Sequence, residues 1–232
     1  MIISLHTPKA GGSSFKILLK NHFKDTFKED YDDMPINTPV IERQLRAETF
    51  RKNFKTFKRY LLEIKGTGCI HGHFLPYKYS PLIGKKNTVF ITWMRDPLER
   101  LASHYYYWQR TYDKNISGSL HKIVIEDKWT FEEFCFSTEM KNFYHQFLWQ
   151  FPIENFSFIG ITEHFTADME YFAEEFLGVK NIKIPKVNIN PKPSIYFSDD
   201  SLVGKLKEFH NKDYELYFKA LEIRNRRIYD QS

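Results

Sequence analysis

The sequence is poor in cysteine and in long apolar runs. Only Cys69 and Cys135 occur among 232 residues, so no disulfide framework is available, which is typical of a reducing compartment. No segment approaches the roughly 20 apolar residues of a transmembrane helix. The first residues, Met1 to His6, lack the basic and long apolar regions of a signal peptide. These absences predict a cytoplasmic protein, unless a targeting segment has been removed.

A strong charge of either sign is also missing. The 34 basic residues are nearly balanced by 29 acidic ones, which leaves a formal net charge of +5. This mild excess can steer an anionic ligand toward the protein, but dedicated nucleic-acid-binding domains concentrate their charge more strongly. We therefore expect no nucleic-acid partner and no membrane segment, and the sequence does not indicate an oligomeric state.

The sequence does contain apolar strands that alternate with amphipathic helices, without internal repeats. Short apolar runs predict four strands, at residues 2–6, 69–74, 88–94 and 156–161. Helical spacing and capping residues predict helices that begin near Ser13 and at Asp96, others over 38–64, 130–136, 139–149 and 166–177, and a helix or helix pair over about 199–221. Strands that alternate with helices form parallel sheets. The chain is therefore predicted to be one α/β domain over residues 1–232, with a mostly parallel central sheet and helices on both faces.

The first predicted strand leads into a glycine-containing loop, Thr7-Pro8-Lys9-Ala10-Gly11-Gly12-Ser13-Ser14. Small residues let the backbone approach a ligand, and the helix that follows presents free N–H groups and a favourable dipole to an anion. The lysine precedes the glycines, whereas it follows them in the usual nucleotide loop of phosphate-transferring enzymes. The loop is either an anion site or a plain turn between a strand and a helix.

A second candidate anion site follows the strand at 88–94. Arg95 stands at the carboxyl end of that strand, where open α/β sheets bind ligands, and its planar fork suits a phosphate. Ser103 lies about two turns along the helix that Asp96 and Pro97 begin. Taken alone, Arg95 would sooner pair with a carboxylate, and Ser103 would sooner be an ordinary helix serine.

Together the two loops resemble those of a known enzyme family. The residues from Pro8 to Phe15 resemble the 5'-phosphosulfate loop of sulfotransferases that use 3'-phosphoadenosine 5'-phosphosulfate (PAPS). The segment Arg95-Asp96-Pro97-x-x-Arg100-x-x-Ser103-x-Tyr105 resembles their 3'-phosphate motif. The pattern is most similar to carbohydrate sulfotransferases of the uronyl 2-O type. Weaker similarity involves Asn142, residues 160–163 and residues 213–217.

This resemblance implies a P-loop-like sulfotransferase fold and a role for each loop residue. Lys9 is expected to contact the bridging oxygen and the transferred sulfuryl group. Arg95 and Ser103 are expected to hold the 3'-phosphate. The residues expected to bind the 5'-phosphosulfate are Lys9, Ala10, Gly11, Gly12, Ser13 and Ser14.

A possible catalytic base lies in the second predicted strand. Strand alternation places Cys69, His71 and His73 on one face. In the 2-O-type relatives a His-Gly-His at this place supplies the base, so the resemblance implies His73 as base and His71 as its partner. Two other interpretations stay open, a zinc site that would need a fourth ligand and a pair of hydrogen-bonded core histidines.

The predicted function is transfer of a sulfuryl group from PAPS to a hydroxyl acceptor, by in-line displacement with a histidine base. The resemblance implies a saccharide acceptor, and no metal is expected because neither loop carries a carboxylate placed to hold one. Tyr105 to Trp108 either line a sugar site or belong to the core. The alternatives are a kinase-like nucleotide-phosphate transferase and a non-catalytic nucleotide-binding module. The vertebrate relatives have a membrane anchor and act in the Golgi, which is the alternative location.

Overall fold

A computed structural model describes residues 1–31, 38–183 and 199–229 of the protein. In these ranges five strands form one sheet in the order β2-β3-β1-β4-β5, and every neighbouring pair is parallel. The strands are β1 (Ile2–Leu5), β2 (Phe27–Glu29), β3 (Cys69–Gly72), β4 (Val89–Met94) and β5 (Phe156–Ile161). The predicted α/β class with a parallel sheet is confirmed.

Helices occupy most of the remaining described chain. They are α1 (Gly12–Phe23), α2 (Val40–Lys52), α3 (Phe54–Glu63), α4 (Pro97–Thr111), α5 (Ser119–Glu126), α6 (Phe131–Cys135), α7 (Phe143–Phe147), α8 (Phe165–Leu177), α9 (Asp200–Phe209) and α10 (Asn211–Tyr229).

Both faces of the sheet are buried, as the continuous apolar strands predict. Side chains of successive strand residues point to opposite faces, so Ile2 and Ile3 belong to two different core clusters. Helices α1 and α8 cover the face of Ile2, with buried side chains such as Phe15 and Phe172. Helices α4, α7 and α10 contribute to the cluster on the other face.

The predicted helix over 38–64 is wrong in one respect, because it is two helices that meet at Asn53. This residue has an extended conformation and its side chain accepts a hydrogen bond from the backbone N–H of Thr56, so it ends α2 and caps α3. The predicted helix over 139–149 is shorter, since Asn142 has a left-handed conformation just before α7.

Other differences concern short elements. The sequence analysis missed β2, which pairs in parallel with β3, and it missed α5. The helix or helix pair predicted over 199–221 is a pair, α9 and α10, which meet at His210, and α10 continues to Tyr229. The residues 183–197, rich in proline, asparagine and lysine, also predict a loop, and most of them lie outside the described residues.

Candidate active site

The loops after β1 and β4 meet at the carboxyl edge of the sheet, because these two strands are neighbours and parallel. The ammonium nitrogen of Lys9 lies 3.8 Å from the centre of the Tyr107 ring on α4, the helix that begins beyond Arg95. Burial, followed by the positive charges of Arg110 and Arg95, lowers the pKa of Lys9 to about 8. The structure thus brings the two sequence motifs into one basic site.

The first loop has the backbone shape that its glycines predict. Gly11 has φ 86°, a left-handed conformation that favours glycine, and α1 begins at the next residue. Ala10 and Ser14 are buried, whereas Ser13 is exposed. Ser13 thus lies exposed in the first turn of α1, where the free N–H groups of a helix N-terminus are suited to an anion.

Arg95 and Asp96 form the turn between β4 and α4. Asp96 caps the helix by accepting hydrogen bonds from the backbone N–H groups of Leu98 and Glu99, both at 3.0 Å, which is the predicted role. One guanidinium nitrogen of Arg95 lies 3.2 Å from a carboxylate oxygen of Glu99. The two side chains are 23% and 26% exposed, so a phosphate could reach the arginine.

Ser103 lies on the same helix, one turn before Tyr107, and is half-buried. Residues one turn apart share a helix face, so Ser103 faces the same side of α4 as the ring beneath Lys9. Of the four aromatic residues Tyr105 to Trp108, Trp108 is buried in the core and stacks on His121, and Tyr107 contacts Lys9.

The backbone of the Arg95–Asp96 turn is held by distant side chains. The Tyr144 hydroxyl accepts from the Arg95 N–H at 2.9 Å and donates to the Arg95 carbonyl at 2.7 Å. A Glu163 carboxylate oxygen accepts from the Asp96 N–H at 2.9 Å, and the Tyr214 hydroxyl donates to the Asp96 carboxylate at 3.2 Å. Two of the three segments with weak family similarity therefore contact this turn.

The third of those segments supports α7 and α10 behind the turn. Asn142 accepts a hydrogen bond from the Asp213 N–H at 3.4 Å, and an Asp213 carboxylate oxygen accepts from the His145 N–H at 3.0 Å. Burial raises the pKa of Asp213 to about 6, although the positive charge of buried Arg100 lowers it. The arrangement fixes the helix that carries Tyr144.

The predicted histidines lie on β3 and just beyond it. Cys69 and His71 are buried on the same side of the sheet as Phe15. A hydrogen bond of 2.8 Å joins the Ser4 hydroxyl to Nδ1 of His71. Burial, then the charge of Lys16, lowers the pKa of His73 to about 4, and the same causes lower the pKa of His71 to about 3. Both imidazoles are therefore neutral near pH 7, as a proton acceptor must be.

His6 completes this group, and the sequence analysis did not assign it a role. Its ring centre lies 5.0 Å from that of His71 and 4.6 Å from that of His73. The signal was present, because Ser4 on β1 and His6 directly after it have the same two-residue spacing as His71 on β3 and His73 directly after it. It could be used only once the two strands were known to be neighbours.

Within the described ranges, no group of three or more His, Cys, Asp or Glu side chains is placed to hold a metal ion. Burial raises the pKa of the Cys69 thiol far above its ordinary value. Among the same residues, no helix is long and apolar enough to cross a bilayer.

Comparisons with known proteins agree with the resemblance. The chain is 31% identical over 137 residues to human heparan sulfate 2-O-sulfotransferase 1, and the aligned region covers 57% of this chain and 35% of that protein. The Xenopus laevis protein of the same name is 30% identical over the same coverage. The chain thus spans about a third of the length of these curated relatives.

No protein-family model matches the chain. A solved structure of a sulfotransferase from Alicyclobacillus acidocaldarius aligns with a TM-score of 0.45 and 16% identity, over 93% of this chain and 92% of that one. The sequence similarity to the curated enzymes confirms the family resemblance that the two loops predicted.

Proposed function

We propose that this chain, a relative of the heparan sulfate 2-O-sulfotransferases, transfers a sulfuryl group from PAPS to a hydroxyl of a saccharide. The observation that carries the proposal is the meeting of three features at one sheet edge. These are the basic glycine loop with Lys9, the Arg95 turn, and the neutral histidines of β3. The two separate anion sites match the two ends of PAPS, which carry the 5'-phosphosulfate and the 3'-phosphate.

In the proposed reaction His73 accepts the proton of the acceptor hydroxyl while that oxygen attacks sulfur. A new O–S bond forms as the bond from sulfur to the bridging oxygen breaks, and adenosine 3',5'-bisphosphate leaves. Lys9 and the N-terminus of α1 stabilise the negative charge that grows on the bridging oxygen, which is the main contribution of such sites. His71, fixed by Ser4, lies beside His73 and is the second candidate for the base.

The nucleotide is proposed to lie between the glycine loop and the Arg95–Asp96 turn. Gly11, Gly12, Ser13 and Ser14 face its 5'-phosphosulfate. Arg95 and Ser103 hold its 3'-phosphate. When the nucleotide binds, Arg95 gives up its contact with Glu99 and binds the phosphate, which offers more acceptor oxygens.

Binding of the nucleotide is tested by calorimetry with adenosine 3',5'-bisphosphate, AMP and ATP. We expect the bisphosphate to bind most tightly, and Arg95→Ala to cost about 1.5–3 kcal/mol of its binding, the range for hydrogen bonds to charged groups. Arg59→Ala is the matched control, since Arg59 pairs with Glu63 on exposed α3. Equal affinity for AMP and the bisphosphate in the wild type would remove the 3'-phosphate role, and ATP binding that needs Mg²⁺ would favour a kinase-like enzyme.

Catalysis is tested by transfer from PAPS to a panel of saccharides. His73→Ala is expected to lower turnover by about 10²–10⁴, the usual contribution of a positioned base, with His71→Ala measured beside it and exposed His22→Ala as control. Tight binding of the bisphosphate without transfer to any acceptor would indicate a non-catalytic module.

Three further expectations belong to the same proposal. Activity should survive EDTA, and stoichiometric zinc lost together with activity would make the histidines ligands. The protein is proposed to act in the cytoplasm, with the Golgi lumen as the alternative. Residues 1–232 are proposed to form one sulfotransferase domain.

A further inference from the structure

We propose that His6 is a positioning residue, which holds the ring of His73 in its reactive orientation and joins it to the glycine loop. This inference rests on the proposed function, because it concerns the base of that reaction. It extends the site by a residue that lies outside both nucleotide motifs and outside the His-Gly-His segment.

The backbone places His6 directly beside His73. In the parallel pair β1–β3, Ser4 is opposite His71 and Leu5 is opposite Gly72, and the His6 N–H donates to the Gly72 carbonyl at 2.8 Å. Side chains two residues apart on a strand share a face. β1 therefore supplies Ser4 to hold His71, and then His6 to meet His73.

The ring of His73 is confined on two sides by aromatic rings. Its centre lies 4.6 Å from that of His6 at an interplanar angle of 69°, and 4.8 Å from that of Tyr31 at 64°. Edge-to-face contacts at such distances are favourable beyond the area they bury. Among the described residues, Nε2 of His73 is buried without a hydrogen-bond partner, so ring packing is what the structure offers to orient this imidazole.

His6 is itself fixed from two directions. Its Nδ1 and the Tyr31 hydroxyl lie 3.2 Å apart, within hydrogen-bond distance. Its ring also packs on Gly12, where an added Cβ would lie 2.0 Å from both Cδ2 and Nε2 of the imidazole. The ring of His6 thus contacts both Gly12, the first residue of α1, and His73, the candidate base. One rigid ring therefore sets the distance between Gly12 and His73.

Burial and the neighbouring groups keep His6 neutral near pH 7. Burial is the main cause that lowers the pKa of His6 well below its ordinary value, and electrostatic coupling to His71, to His73, to Lys16 on α1 and to Lys9 in the loop lowers it further. Tyr31 is a further titratable group in contact with the ring. A neutral ring can orient His73 without competing for the proton that His73 must accept.

The test compares His6→Phe, His6→Ala and His6→Asn, with His22→Ala, at an exposed position of α1, as the control. Phenylalanine keeps a flat ring, asparagine keeps a hydrogen-bond acceptor without the ring, and alanine keeps neither. We expect kcat to fall by about 10²-fold in His6→Ala and His6→Asn, the effect of a small misplacement of a reacting group. His6→Phe should retain most of the turnover, and KM for the acceptor should change little in all three.

A second measurement does not depend on activity. NMR titration of the His73 imidazole should give a pKa near 4 in the wild type and in His6→Phe. In His6→Ala water reaches the ring, so its pKa should rise toward the ordinary 6.5. If the wild type transfers no sulfuryl group, the proposed function fails while this titration still reports whether His6 orients and shields His73.

Two results would overturn the positioning role. One is wild-type kcat together with an unchanged His73 pKa in folded His6→Ala. The other is a His6→Phe protein as inactive as His6→Ala, with activity restored in His6→Asn, which would assign His6 a hydrogen bond to the reacting groups. Thermal unfolding of each variant separates these results from a failure to fold.

Discussion

Lys9 illustrates how burial changes a single side chain in the candidate site. Its ammonium group lies against Tyr107 and near two arginines, and its pKa is lowered to about 8 by burial and by those charges. In the free protein Lys9 therefore begins to lose its positive charge just above neutral pH. This loss should weaken the binding of an anion at the proposed site.

We expect kcat/KM for PAPS to fall as the pH rises through about 8, because this parameter reports groups of the free enzyme. At low pH, kcat/KM should rise as the pH increases through about 4, because His73 becomes neutral there. In Lys9→Arg the upper fall should disappear, since arginine keeps its charge at all these pH values. A fall near pH 8 that persists in Lys9→Arg would assign it to another group.

Asp213 gives a prediction for stability at the residue scale. Its pKa is raised from 3.8 to about 6, mainly by burial, so the folded protein binds this proton more tightly than the unfolded chain. The stability that it contributes is present below pH 3.8 and is lost as the pH rises through about 6.

Asp213→Asn cannot ionise, so between pH 4 and pH 7 the wild type should lose stability relative to this variant. The shift corresponds to at most about 3 kcal/mol, at 1.36 kcal/mol per pKa unit. Urea unfolding of both proteins at pH 4, 5.5 and 7 measures the difference. A constant difference between the two proteins would show that Asp213 does not titrate in this range.

At the scale of elements, the Arg95–Asp96 turn depends on helices that are remote in the sequence. Tyr144 on α7 holds the Arg95 backbone through both its N–H and its carbonyl, while Tyr214 on α10 and Glu163 after β5 hold Asp96. The position of Arg95 is therefore decided by the packing of α7 and α10 against the end of β4.

Tyr144→Phe removes the hydroxyl from both of these hydrogen bonds and leaves the Arg95 N–H and carbonyl without that partner. We expect weaker binding of adenosine 3',5'-bisphosphate by about 1–3 kcal/mol, the cost of such unsatisfied groups, with little change for AMP. Tyr112→Phe is the control, because its hydroxyl donates to a Glu126 carboxylate oxygen instead. Equal losses for both nucleotides would show a general change of the site and not a shift of Arg95.

At the scale of the whole molecule, one carboxylate joins the last helix to the sheet. Asp168 on α8 accepts from the Ile161 N–H at 2.8 Å, from Nε of Arg224 at 2.9 Å and from Arg227 at 2.8 Å. Asp168 and Arg224 are buried. This ion pair fixes α10, and with it Asp213 and Tyr214, against β5 and α8.

Asp168→Asn should destabilise the protein by about 3–5 kcal/mol, because it leaves a buried arginine without its counter-charge. Glu154→Gln is the matched control, since its pair with Lys219 has side chains 62% and 58% exposed, and such pairs contribute about 0–1 kcal/mol. Urea unfolding at pH 7 measures both. Similar small losses in the two variants would show that the buried pair does not stabilise the fold.

The features that the sequence determined by itself are local ones. The glycine loop before α1, the Asp96 cap of α4, the Thr130 capping box of α6 and the alternation of Cys69, His71 and His73 each depend on residues only a few positions apart. Backbone sterics and capping hydrogen bonds act over that range, so the residue pattern is enough to predict them. The resemblance of the two loops to sulfotransferases rests on the same short segments.

The tertiary structure decided the contacts that join those segments into a site. His6 meets His73 only because β1 and β3 are neighbours in the sheet. Tyr144 and Tyr214 reach the Arg95–Asp96 turn from positions 49 and 118 residues away. The edge strand β2 was missed because its pairing with β3 outweighs a weak local strand propensity. The break at Asn53 was missed because a single capping residue divides an otherwise helical pattern. Strand order and helix packing follow from burial of the whole chain, which no short stretch of sequence specifies.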